Sequence, residues 1–214
     1  MAEKRGVRMK RRIEGHQILK VVVGTLLVAL GITLMIASTL GVDTLSVALF
    51  GWMNFVPWQF GYLSLTFNLI VLAFALIFDR KQVGLGSFAN AFGVGLTVNF
   101  LSPYILANEF IANHHWLAAI VGIVVYGLGV GIYVSAQLGS AAIECLTMML
   151  VKATRFPLRY IRIGLDAGMV ILGLLLGSQN FGVGTILCVL TTGFFMEQVL
   201  NFFERLALKE GKVA

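Results

Sequence analysis

The sequence predicts an all-α polytopic membrane protein: six transmembrane helices as 3+3 inverted repeats, each repeat with a short re-entrant or interfacial helix. Composition, the placement of basic residues and a recurrence of glycines at one fixed offset carry this reading. The 214 residues are 58% hydrophobic and 12% charged, with mean hydropathy +0.91. A soluble domain is roughly 45–50% apolar and about 25% charged. One core of this size cannot enclose so much apolar surface, so lipid covers part of it.

A span needs about 20 largely apolar residues. Six segments qualify: 20–39, 59–78, 84–103, 117–136, 159–178 and 183–203. The first follows a basic start and ends in Ala37-Ser38-Thr39, like a secretory signal. Its apolar run is longer than a signal's h-region and has a counterpart later in the chain, so it reads as the first span. Segments 42–56 and 140–154 are apolar but too short to cross. Trp52 and Trp58 suit an interface, and Pro57 and Pro157 break the chain before the next span.

Charge sets the crossings. The Lys and Arg residues form four clusters: Lys4 to Lys20, Arg80 with Lys81, Lys152 to Arg162, and Arg205 to Lys212. Short basic loops stay cytoplasmic. Six crossings put every cluster inside, whereas counting the short segments as spans would put Arg80 and Lys81 outside. The expected order is therefore a basic cytoplasmic tail 1–19 and repeat 1 over 20–103. An outer loop 104–116, repeat 2 over 117–203 and a cytoplasmic tail 204–214 follow. The net charge of +6 accompanies basic residues that flank apolar spans, a pattern of lipid head-group contact and not of nucleic-acid binding.

Shifting residues 20–101 by 98 positions superposes six glycines: 24 on 122, 31 on 129, 41 on 139, 84 on 182, 86 on 184 and 95 on 193. Randomly placed glycines would give about one match. Three spans per repeat is odd, so the second repeat is expected upside down, a secondary-transporter arrangement. Gly164-x-x-x-Gly168 and Gly173-x-x-x-Gly177 read as helix-packing motifs. Glycine in Leu40-Gly41 and Leu138-Gly139 can end a helix and permit tight re-entry.

Ionisable groups within spans are costly and mark candidate sites. Glu144, Asp166 and Glu197 fall by the offset on Ser46, Asn68 and Asn99, so matching places are polar in both repeats and acidic only in the second. Each has a structural alternative. Asp166 stands four residues after Arg162 and can pair with it, Glu197 can reach head groups or pair with an arginine of the third cluster, and Glu144 can favour a helix dipole. Asp43 reads as an N-cap and Asn68 as an interhelical hydrogen bonder. Adjacent His114 and His115 do not share a helix face, and Cys145 and Cys188 are expected near opposite faces. Neither a metal site nor a disulfide is expected, and no cofactor is implied. No nucleophile–base pattern appears, so an enzyme is not expected.

Leu138-Gly-Ser-Ala-Ala-Ile-Glu144, Gly84-Leu-Gly-Ser87 and Gly182-Val-Gly-Thr185 resemble the bacterial YczE/YyaS/YitT-type membrane protein family over residues 20–200. That family usually continues Leu-Gly with Gly-Pro and an aromatic or basic residue before the acid. Val42-Asp43-Thr44 and Ser140-Ala141-Ala142 depart from this, and Ser46 replaces the first acid. The resemblance implies a multi-pass bacterial inner-membrane protein and supplies no substrate.

The expectation is a small secondary transporter of an unidentified small molecule, with both termini cytoplasmic. Glu144 and Asp166 would bind substrate or a coupling proton, Arg162 and Glu197 would stand beside them, and Asn68 and Ser46 would be neutral partners. Acids held away from water suit proton coupling. The alternative is a non-transporting membrane partner that assembles or regulates another protein, with a channel third. The lipid bilayer is the expected surrounding, and a homo-oligomer is compatible with the sequence.

Overall fold

The computed structural model describes residues 14–80 and 82–209, and among them only helices form. The basic segment before Glu14, Lys81 and the last five residues lie outside the described residues, including Lys212. The helices are α1 (Gly15–Ser38), α2 (Thr44–Met53), α3 (Phe60–Phe78), α4 (Leu85–Leu106), α5 (Glu109–Asn113), α6 (His115–Ser135), α7 (Ala142–Thr154), α8 (Leu158–Leu175) and α9 (Val183–Lys209).

Four of these helices, α1, α3, α6 and α9, are long and apolar enough to cross a bilayer. The helices expected over 84–103 and 159–178 form as α4 and α8. They carry polar cargo instead: Asn90 and Asn99 on α4, Arg162 and Asp166 on α8. Large apolar side chains point outward, among them Leu175 (80% exposed), Phe78 (71%) and Leu190 (71%). Such a continuous apolar exterior has lipid as its solvent, and the chain is a helical membrane protein.

The centre is the antiparallel pair α1 and α6, brought close by glycine. A Cβ on Gly24 would lie 2.6 Å from the Tyr133 amide nitrogen, and one on Gly31 would lie 2.6 Å from that of Tyr126. Gly129 and Gly122 face them across the same seam. The four glycines matched by the 98-residue offset thus form two facing pairs. Around this seam α4 packs on α1 and α9 on α6, while α2 packs on α8 and α7 on α3.

Each Leu-Gly pair docks on the start of a long helix. The Leu138 carbonyl accepts from the Gly86 amide at 2.9 Å, and the Leu40 carbonyl accepts from the Gly184 amide at 2.8 Å. These contacts are again related by the offset. α2 does not lie flat on a surface: Thr44, Ser46, Val47, Ala48, Leu49 and Gly51 are buried, with Gly51 against Gly173 of α8.

Three expectations need correcting. Segment 104–116 is largely helical, because α4 continues to Leu106 and Asn108 caps α5 by accepting from Phe110 and Ile111. The tails assigned to 1–19 and 204–214 contain helix from Gly15 and up to Lys209. Gly164 and Gly168 pack against nothing, since an added Cβ at either meets no atom within 4 Å.

Candidate functional site

The beginnings of the two short helices meet inside the bundle. Gly41 (φ +122°) and Gly139 (φ +125°) turn the chain in a conformation that side chains disfavour, and α2 and α7 start within five residues. Asp43 caps α2 by accepting from the Ser46 amide at 3.2 Å and also accepts from the Ser46 hydroxyl. Thr44, the first residue of α2, donates to Asp166 Oδ1 of α8 at 2.8 Å.

Arg162 joins α8 to α7. Its Nε donates to Asp166 Oδ2 at 3.1 Å, one helical turn on, and its Nη1 reaches Glu144 Oε1 in the first turn of α7 at 3.4 Å. Glu144 Oε2 is buried without a hydrogen-bond partner among the described residues. These groups line a cavity of about 440 Å³ between α8 and α9. Asp43, Thr44, Glu144, Arg162 and Asp166 form its polar wall; Tyr126, Val130, Met148, Val189 and Met196 are among the rest of its lining.

A smaller cavity of about 70 Å³ lies behind Asp43, Tyr126, Val130 and Glu144, which line both. Asn68 and Ser46 belong to it. Asn68 is buried and donates to the Ser64 carbonyl at 2.7 Å. The two linings correspond by the offset: Val28 with Tyr126, Ile32 with Val130, Ser46 with Glu144, Leu49 with Thr147, Ser64 with Arg162, Asn68 with Asp166, Asn90 with Cys188 and Val94 with Thr192.

Glu144, Arg162 and Asp166 therefore stand together, Ser46 and Asn68 stand behind them, and Glu197 stands apart. Glu197 is exposed on α9 and lines neither cavity. Its counterpart Asn99 is held: Asn99 Oδ1 accepts from the Gly61 amide at 2.8 Å where α3 meets α4.

Sequence reasoning took Asp43 for a cap alone and missed Thr44 and Tyr126. Asp43 had a legible signal, since N-cap and third helical turn-forming residue are one turn apart: the first short helix carries its acid at the cap, the second at Glu144. The basic residues are also more than topology markers. Lys152 is ion-paired with buried Asp79, and the Lys20 ammonium lies 3.7 Å from the Phe203 ring centre. His114 and His115 are exposed, and Cys145 and Cys188 are free and buried. No group of three or more His, Cys, Asp or Glu with metal-binding geometry occurs among the described residues.

A model of a family of unknown function, DUF6198, matches residues 15–201. The chain is 25% identical over 187 residues to the uncharacterized membrane protein YczE of Bacillus subtilis (strain 168), covering 84% of this chain and 86% of that protein. It is 25% identical over 193 residues to the uncharacterized protein YyaS of the same organism, covering 89% and 95%. An uncharacterized protein of Haemophilus influenzae is 26% identical over 127 residues, 59% of this chain and 57% of that one. No solved structure gives a significant match.

Proposed function

We propose that this chain, which belongs to the family of unknown function DUF6198, is a small secondary transporter of the bacterial inner membrane. It crosses six times as two inverted three-span repeats, with both termini cytoplasmic. The observation that carries this reading is the pair of unequal cavities, about 440 and about 70 Å³, lined by counterpart residues 98 positions apart and separated by shared side chains. Inverted repeats hold a site at their interface and expose it to each face in turn by exchanging their conformations. One open and one closed counterpart is what a resting member of such a cycle contains.

With the basic clusters inside, the start of α8 and the large cavity face the cytoplasm, and the α3–α4 contact at Gly61 seals the outside. The substrate sits against Glu144, Arg162 and Asp166, with Asp43 and Thr44 completing the wall. Ser46 and Asn68 take over hydrogen bonding when the small cavity opens. A coupling proton would reside on the same carboxylates.

Cysteine accessibility tests the cycle without a known substrate. On a Cys145→Ser, Cys188→Ser background, Thr192→Cys and its counterpart Val94→Cys are reacted with a membrane-impermeant maleimide in vesicles of each orientation. Thr192→Cys should react from the cytoplasmic face and Val94→Cys, more slowly, from the outer face. A Val94→Cys that never reacts, while Thr192→Cys does, would make the cavity static and remove the transport reading.

A further inference from the structure

We propose that the large cavity takes an organic cation, a positive group carried on an apolar or aromatic body. The proposal rests on the transport reading only in treating the cavity as a ligand site. Its sign follows from the wall: among the described lining residues, the acids Asp43, Glu144 and Asp166 stand against one base, Arg162. Two helix starts point into the same space, and each contributes roughly +0.5 charge. Even counted in full they leave the site about one charge negative, and the α2 end is already capped by Asp43.

Arg162 favours an anion little, because its single charge is already opposed by the two carboxylates of Glu144 and Asp166. Glu144, by contrast, keeps acceptor capacity that Arg162 does not use: its Oε2 has no donor among the described residues. Oε2 is closed off from the cavity itself, so what a positive ligand centre meets there is the carboxylate's negative charge across a short, low-dielectric distance, not that atom's lone pair. The remaining lining specifies the body of the ligand. Tyr126 supplies an aromatic ring, and Met148 and Met196 are polarizable and adaptable. A bare metal ion fits neither this apolar lining nor a volume of about 440 Å³, which is drug-sized.

Tetraphenylphosphonium and tetraphenylborate share one four-phenyl shell and differ in charge. Saturable binding of radiolabelled tetraphenylphosphonium to the purified full chain in micelles is the expected result, with no saturable thermal stabilisation by tetraphenylborate. Glu144→Gln should weaken phosphonium binding at least about tenfold, and Glu144→Asp, which keeps the charge, should retain most of it. Thr192→Trp, which fills the cavity without changing charge, should abolish binding while leaving the unfolding temperature close to the parent's.

Stabilisation by the borate that is lost in Arg162→Gln would overturn the cation assignment. So would binding of neither ion, or phosphonium binding indifferent to both Glu144→Gln and Thr192→Trp. None of these outcomes touches the two-sided labelling of Thr192→Cys and Val94→Cys, so failure of the cation assignment and failure of the transport reading remain separate results.

Discussion

Arg162 is the residue on which the charged wall depends. Among the described residues it is the one guanidinium paired with both Glu144 and Asp166, and its side chain is 35% exposed. Removing one partner of a fully buried pair costs about 3–5 kcal/mol, and partial exposure screens that. Arg162→Met should therefore lower stability by about 2 kcal/mol. Adding Glu144→Gln and Asp166→Asn should restore most of it, because the charges left unpaired are then gone. Thermal unfolding in micelles measures both; a triple variant no more stable than the single one would mean the three groups are not coupled. The Arg162–Asp166 half of this cluster was legible, since four residues on a helix place side chains together. Glu144 is eighteen residues away, across the turn between α7 and α8, and only tertiary packing brings it in. Asp43 was read correctly as a cap and incompletely as nothing more, because capping is local whereas the cavity wall is assembled from α2, α7 and α8.

At the scale of elements, the turns before α2 and α7 are the constrained points of the fold. Gly139 has φ +125°, and a Cβ there would stand 2.5 Å from Ser87 Oγ and 2.6 Å from the Gly84 nitrogen. Forcing a side chain into such a backbone region costs about 1–3 kcal/mol before the clash is counted. Gly139→Ala and Gly41→Ala should each lower the unfolding temperature markedly. Gly164→Ala, mid-helix with open space around it, should raise stability by up to about 1 kcal/mol. Equal effects at Gly139 and Gly164 would contradict the role given to the turns. The long helices were legible because twenty-residue apolar runs have few alternatives, and the Leu-Gly turns because they recur. The fate of α2 was not: its sequence is uniformly apolar, so nothing local distinguishes a surface helix from one buried against α8. The short α5 escaped because a five-residue helix has too little length to show periodicity, although Asn108 is an ordinary capping residue.

At the scale of the whole molecule, the two halves are alike in pattern and different in posture. α3 closes on α4 so tightly that a Cβ on Gly61 would lie 1.9 Å from the Gly95 carbonyl oxygen, and Asn99 accepts the Gly61 amide across the seam. Gly193, the counterpart of Gly95, has open space around it, and the large cavity occupies the gap between α8 and α9. If the halves exchange postures, α8 must close on α9 at Gly193, bringing position 159, the counterpart of Gly61, to Glu197, the counterpart of Asn99. Position 159 is an arginine. Where the first repeat uses an amide-to-side-chain hydrogen bond, the second would then bring an arginine and a glutamate together. This gives exposed Glu197, outside both cavities, a reason to be acidic that binding does not require. Glu197→Lys should keep tetraphenylphosphonium binding within about twofold, because no cavity wall changes, yet slow closure and cut vesicle flux at least about tenfold. Reactivity of Val94→Cys should fall in the same variant while that of Thr192→Cys persists. The exchanged pair Arg159→Glu with Glu197→Arg should recover flux. Recovery would locate the lesion in the contact itself, whereas loss of binding in Glu197→Lys, or failure of the exchanged pair beside normal folding, would remove the inner gate from the cycle.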